Sequence, residues 1–231
     1  MKTIGLIGGL TWVSTLDYYR HLNMLVNERL GGDEAAKLLM VSVNFGEIKR
    51  RTLALDWAGI TEIIGAAAQT LEKAGASCIL ISANTMHQVA PEIQSMVGIP
   101  VLHIAEAIAE AIKEKGLKKV VLLGTKYTMA MESYKAILSN HGIETVVPDT
   151  AGIKMVNDAI YEEMAKGLFL PETKEKFIQL ILAMQEQGVE GAILGCTEIP
   201  QLLQQKDISL PLFDTAYLHA KAAVDFALTT N

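Results

Sequence analysis

Short apolar runs alternate along this chain with longer stretches in which apolar residues recur at helical spacing. That alternation is the pattern of βα units and a mainly parallel sheet. The apolar runs predict strands at 3–8, 38–44, 78–82, 101–103, 120–124, 145–148, 191–195 and 210–213. Helical periodicity covers 14–30, 60–74, 104–115, 129–140, 154–166, 173–187 and 215–228. The stretches 31–37 and 167–172 read as ordinary connections, and no low-complexity segment or flexible linker interrupts the pattern.

The pattern also repeats. GASCILISANT at 75–85 lines up with GVEGAILGCTE at 188–198, placing Ala83 opposite Cys196 at an offset of 113. IGLIG at 4–8 matches VVLLG at 120–124 at an offset of 116, and IPVLH at 99–103 matches LPLFD at 210–214 at 111. Three segments in one order at nearly one offset predict two copies of an α/β unit, a period too long for a solenoid. The expected fold is therefore α/β with two pseudo-symmetric lobes, each a mainly parallel sheet flanked by helices. Residues 1–103 with 210–231 would form the first lobe and 104–209 the second. Ligand is expected in the cleft between them, at the carboxyl ends of the strands.

Composition narrows the class. Of 231 residues, 50% are apolar and 20% charged, which excludes a disordered chain, a collagen-like repeat and a disulfide-stapled miniprotein. Mean hydropathy is high at +0.27, yet no apolar run is long enough to span a membrane. The chain runs from Met1 straight into a strand, without a signal peptide, and has only Cys78 and Cys196; both point to the cytoplasm. Twenty basic and 26 acidic side chains, without a basic block, argue against nucleic-acid binding.

Candidate chemistry sits where the repeat places it. In each copy a buried strand ends in small polar residues before a helix begins, as Ser82-Ala83-Asn84-Thr85 and as Gly195-Cys196-Thr197-Glu198. Free N–H groups and the helix dipole at such a junction suit a carboxylate and should lower the pKa of a thiol. Cys196 is thus the candidate thiolate, whereas Cys78 lies mid-strand among apolar neighbours and reads as core. Gly8-Gly9-Leu10 does not spell the dinucleotide fingerprint, since a third glycine is missing and Asn44, not an acid, ends the second strand. No phosphate-binding loop is present. His21, His87, His103, His141 and His219 show no metal-ligand spacing, so no metal is expected. For His87, beside Asn84 and Thr85, a structural and a catalytic role remain equally open.

With these motifs assembled, the chain resembles the aspartate/glutamate racemase family, in its broad-specificity amino-acid racemase branch. The matching stretches are IGLIGG at 4–9 with Trp12, Ser14, Thr15, Tyr18 and Tyr19, then NFGEI at 44–48 and ANTMH at 83–87. Gly124 and Thr125 with Thr128 and Met129 follow, then GCTEI at 195–199. Glutamate racemases proper differ: they carry His in place of Glu198 and an Asp-Ser opening that Gly8-Gly9-Leu10 lacks. The resemblance implies cofactor-free inversion of an amino acid, with two cysteines facing the α-carbon from opposite sides, one of them Cys196. It implies Asn84, Thr85, Thr125 and Thr197 as ligands of the amino-acid head group. Leu10, Thr52 and Glu198 join them around the substrate, and Thr128 serves either there or as a helix cap. Arg51 would grip a side-chain carboxylate, its alternative being a solvated charge beside Lys49 and Arg50. Lys166 stands one place from a lysine that does so in some relatives. A small-molecule substrate, a homodimer and no cofactor complete what the resemblance implies.

One position departs. Ala83 stands where the family has its first catalytic cysteine, or threonine in some members. Alanine can neither give nor take a proton, so two-base racemization of aspartate or glutamate cannot run on this sequence as written. Three accounts stay open: an engineered inactive variant, a natural relative whose acid comes from water, Ser82 or Thr85, or one-sided chemistry like that of arylmalonate decarboxylases. A non-catalytic amino-acid sensor is the alternative outside enzymology.

Overall fold

The computed structural model describes residues 1–229. Contacts divide the chain into two units, Met1–Ile104 together with the chain from His219 onward, and Ala105–Leu218.

In the first unit β1 (Ile4–Gly8) lies between β2 (Leu38–Ser42) and β3 (Cys78–Ile81), all parallel, with Ile4 opposite both Leu38 and Cys78. Every residue of β1 and β3 is buried, as the uninterrupted apolar runs require of strands covered on both faces. Helices α1 (Trp12–Leu30), α2 (Phe45–Leu53), α3 (Trp57–Lys73) and α4 (Ala90–Met96) connect and cover them. On α3 the buried residues Ile60, Ile64, Ala67, Ala68 and Leu71 follow helical spacing, and they pack on Ile7, Ile79 and Ile81 of the sheet. Each buried isoleucine there contributes about 1.5–3 kcal/mol.

The second unit opens with α5 (Ile104–Glu114) and repeats the arrangement. Here β4 (Lys119–Gly124) is flanked by β5 (Glu144–Val146) and β6 (Gly191–Gly195), and β7 (Leu212–Asp214) adds beyond β6, all parallel. Between them run α6 (Lys126–Met129), α7 (Glu132–Asn140), α8 (Thr150–Asp158), α9 (Pro171–Gln185) and α10 (Ile199–Leu202). Phe177, Ile181 and Met184 on α9 meet Val121, Leu123 and Leu194 of the sheet in one core. The last helix, α11 (Thr215–Leu228), passes from the second unit to the first between residues 218 and 219.

The structure corrects several expectations. The predicted strand at 101–103 is a single bridge, Ile79 to Val101, closed by Ile79 N to Pro100 O at 2.8 Å and Leu102 N to Ile79 O at 2.9 Å. Its repeat equivalent, Ala192 N to Pro211 O at 2.9 Å, belongs to a true strand pair. For that reason residues 210–218, assigned from the sequence to the first lobe, lie in the second unit: β7 hydrogen-bonds to β6. The expected helix 129–140 is broken, because α6 ends at Met129 and Met131, in extended backbone, restarts the chain as α7. The expected helix 154–166 starts four residues earlier, where Asp149 accepts the Gly152 N–H at 2.8 Å. It then widens into a π-helical turn, Ala159–Glu163, and closes as a 3-10 turn that Gly167 stops at φ +78°. Helix α2 was missed altogether; Asn44, taken as the end of a strand, caps it by accepting the Glu47 N–H at 3.2 Å.

The first unit also buries a group of aromatic polar side chains. Tyr18 Oη lies 2.8 Å from His219 Nδ1, and His219 Nε2 lies 2.7 Å from Leu102 O. A carbonyl only accepts, so Nε2 carries the proton and Nδ1 accepts from Tyr18. The His87 ring stands 4.8 Å from His103 and 5.3 Å from His219. Burial pushes His219 down to about 4, and His103 pushes the same way against the Leu102 carbonyl. The folded pKa thus lies below that of the unfolded chain, which binds the proton first as pH falls. The associated stability is complete above about pH 6.5 and lost by pH 4, roughly 3 kcal/mol from this ring. Melting temperature is expected to fall by several degrees from pH 7 to 4.5, with a shallower slope in His219→Gln. A flat profile in the parent chain would contradict this account.

Candidate active site

The first unit places Ser82 to Thr85 at the carboxyl end of β3, and the second places Cys196 to Glu198 at the carboxyl end of β6. In the first, backbone and side-chain bonds hold the end of β3 tightly. Ser82 N donates to Ile7 O at 3.1 Å, Ser14 Oγ to Ser82 O at 2.5 Å, and Ala83 N to Ile81 O at 2.8 Å. His87 Nδ1 lies 2.9 Å from Ala83 O and is therefore the protonated nitrogen. Burial, chiefly, keeps His87 well below its ordinary pKa, with His103 and His219 adding to the effect. His87 is thus a neutral imidazole that holds the residue-83 carbonyl. Asn84 is buried and Thr85 half-buried beside it.

The neighbouring turn after β1 is equally constrained. Gly9 has φ +75° and donates its N–H to Thr15 Oγ1 at 2.8 Å, while Thr15 Oγ1 donates to Thr11 O at 2.8 Å. A Cβ on Gly9 would sit 2.1 Å from Val43 O. Leu10 is only 4% exposed and packs in the core with Ile7 and Ile48. The Thr52 hydroxyl turns back on its own helix, donating to Ile48 O at 2.9 Å.

Arg51 is occupied. Its Nη1 lies 2.5 Å from Asp56 Oδ2, and its Nη2 and Nε lie 3.3 and 3.4 Å from Glu47 Oε1. Lys166, at the end of the 3-10 turn, is exposed and pairs with Glu162 at 2.7 Å.

In the second unit β6 ends at Gly195, and Cys196 follows, partly exposed. Its Sγ donates to Glu198 Oε2 at 2.9 Å, and the Thr197 hydroxyl donates to the same oxygen at 2.9 Å. Glu198 is 7% exposed. Burial first, then the charge and hydrogen bond of Glu198, push the Cys196 thiol well above its usual range. This reverses the lowered pKa expected from sequence. The anticipated helix is the single turn of α10, too short for a strong dipole, and a carboxylate folds back onto the sulfur instead. Thr125 caps α6, its Oγ1 3.2 Å from both the N and the Oγ1 of buried Thr128.

Sequence reasoning missed Tyr161. It lies on the π-helical turn, and its phenol is pushed up by burial first, then by Cys196, Tyr127 and Glu198, which places it within electrostatic reach of the thiol. Asn157, one turn earlier, accepts the Lys126 N–H at 3.1 Å and ties this segment to α6. Strict 3.6-residue spacing does not locate a side chain on a widened turn, and the Tyr-Glu-Glu run signals nothing by itself. Among the described residues no group of three or more His, Cys, Asp or Glu is placed to hold a metal ion, and no helix is long and apolar enough to cross a membrane.

Comparison with known proteins agrees with the fold. The sequence pattern of Asp/Glu/Hydantoin racemases matches residues 7–223. The broad specificity amino-acid racemase RacX of Bacillus subtilis is 30% identical over 156 residues, 67% of this chain and 66% of RacX, so the match spans just under two thirds of that relative. The crystal structure of a Yersinia pestis protein assigned as an Asp/Glu racemase superposes with a TM-score of 0.94 at 43% identity, covering 99% of this chain and all of the other. An aspartate racemase homologue from Pyrococcus horikoshii superposes at 0.89 with 38% identity, again over 99% of this chain and all of the other.

Proposed function

This chain belongs to the Asp/Glu/hydantoin racemase family, and we propose that it binds an amino acid and moves the proton on its α-carbon without a cofactor. Aspartate and glutamate are the first substrates to test. The observation that carries the reading is the Cys196–Glu198–Thr197 arrangement, a thiol on a buried carboxylate at a strand end. Cys196 is the acid/base: as thiolate it takes the α-proton, and as thiol it returns one to the same face. Burial first, then the charge and hydrogen bond of Glu198 at 2.9 Å, hold the sulfur protonated at rest, and its proton leaves to solvent as pH rises to give the thiolate. Thr125, Thr197, Asn84 and Thr85 offer hydroxyl and amide groups for the head group, and they stabilise charge developing on its carboxylate. Tyr161 joins them as a donor near the sulfur.

Residue 83 carries only a methyl group, so chemistry as written is one-sided. One enantiomer exchanges its α-hydrogen with solvent, and inversion does not follow. In deuterated water, NMR of D- and L-aspartate and D- and L-glutamate should show α-proton loss for one enantiomer of at least one pair. The rate should rise with pH through the alkaline range, because the thiol is held protonated. Absence of exchange from all four would sink the catalytic reading. Ala83 itself favours a second reading, an amino-acid sensor that binds without turnover.

A homodimer and a cytoplasmic location are part of the proposal. Trp12, Leu16 and Tyr19, all more than half exposed, share one face of α1 and form an apolar stripe of the kind a second copy covers. Both cysteines are unpaired.

A further inference from the structure

The surroundings of Arg51 carry an inference about selectivity, which rests on the amino-acid reading above. The guanidinium bridges the corner between α2 and α3. Asp56 uses Oδ1 to accept the Gly59 N–H at 2.9 Å, capping α3, and Oδ2 to hold Arg51 Nη1 at 2.5 Å. A Cβ on Gly59 would fall 1.9 Å from Nη1, so the guanidinium lies flat on the first turn of α3 where only glycine leaves room. The link to Asp56 is itself constrained: Leu55 has φ +55°, a left-handed conformation unusual for leucine, and Asp56 N donates to Arg51 O at 2.9 Å. Glu47, one turn back on α2, takes the other edge at 3.3 and 3.4 Å. One cation thus serves two carboxylates, and the cluster is negative by one charge. Only two residues separate the end of β2 from the start of α2, at the same parallel carboxyl edge on which Ala83 lies.

A side-chain carboxylate that approaches Arg51 therefore meets a guanidinium already engaged and a like charge on each side. It binds only by displacing Asp56 from Nη1 or by joining two carboxylates as a third. We propose that Asp56 is a specificity-determining residue: it competes with the substrate's side-chain carboxylate for Arg51 and so sets how far the site prefers dicarboxylic over neutral amino acids. The Gly59 N–H, first, and Arg51 hold the Asp56 carboxyl below its usual range, so the competitor stays charged at neutral pH. Glu47 acts in the same sense at longer range.

Asp56→Asn isolates this effect. The amide keeps a carbonyl oxygen for the Gly59 N–H, and asparagine is as good a cap as aspartate, but the charge on Arg51 is gone. Isothermal titration calorimetry on the full chain, at fixed ionic strength, would compare aspartate and glutamate with alanine, each as both enantiomers. The variant is expected to bind a dicarboxylic amino acid about tenfold more tightly relative to alanine, a ceiling set by the partial exposure of Arg51. Glu47→Gln is expected to give a smaller gain, and adding Arg51→Met to Asp56→Asn should erase it. An unchanged aspartate-to-alanine ratio, or equal shifts for both, overturns the proposal while leaving the amino-acid reading standing. If neither parent nor variant binds any of these amino acids, that reading falls, and this one with it.

Discussion

Ala83→Cys is expected to introduce racemization of aspartate or glutamate about 10²–10⁴-fold above the background seen with the parent, the range supplied by one positioned acid or base. The gain needs no second substitution, because the backbone around residue 83 is already held. Ser82 N on Ile7 O, Ser14 Oγ on Ser82 O, Ala83 N on Ile81 O and His87 Nδ1 on Ala83 O define where a side chain at 83 begins. The alanine is itself only half-buried, so one added sulfur does not have to open a packed core. Chiral chromatography of each enantiomer, incubated with parent and variant side by side, measures the effect. Adding Cys196→Ala to the variant should abolish inversion again. Tight binding with no turnover in Ala83→Cys would instead establish a sensor.

Gly9→Ala is the largest expected loss. Its φ of +75° disfavours any side chain, and the new Cβ would lie 2.1 Å from Val43 O and 2.7 Å from Val43 N and Ser42 Oγ. Two of those three atoms are backbone, and Val43 N is already committed to Gly8 O at 2.9 Å, so the clash cannot be relieved by a rotamer change. A left-handed alanine costs about 1–2 kcal/mol, and moving the end of β2 brings the total to about 3–5 kcal/mol. Chemical denaturation should show that loss in the transition of the first unit, together with loss of amino-acid binding. A variant that unfolds at the parent's midpoint would refute it.

How much was legible in advance follows from what kind of interaction decides each feature. The strands at 78–81 and 191–195 and their shared loop pattern were readable, because a strand buried on both faces needs an apolar run bounded by turn residues. Helix α2 was not, since Phe45, Ile48 and Leu53 are too few to show a period. The position of Cys196 at a strand end was readable, but its charge state was not. That depends on Glu198 folding back onto Sγ, a choice of rotamer within a loop. For Arg51 neither partner was legible: Glu47 comes beside it only on a helix that the apolar pattern does not show, and Asp56 reaches it only through the left-handed turn at Leu55.

The route of α11 has a consequence for how the protein comes into being. The second unit is one continuous stretch, 105–218, and its sheet is complete once β7 has been made. The first unit is not continuous: His219, on α11, supplies the partner for Tyr18 and for Leu102 O, and Ala220, Ala223 and Val224 beside it are buried. On a ribosome the first hundred residues therefore wait for the last dozen, and the half of the chain synthesised second is the half able to fold first.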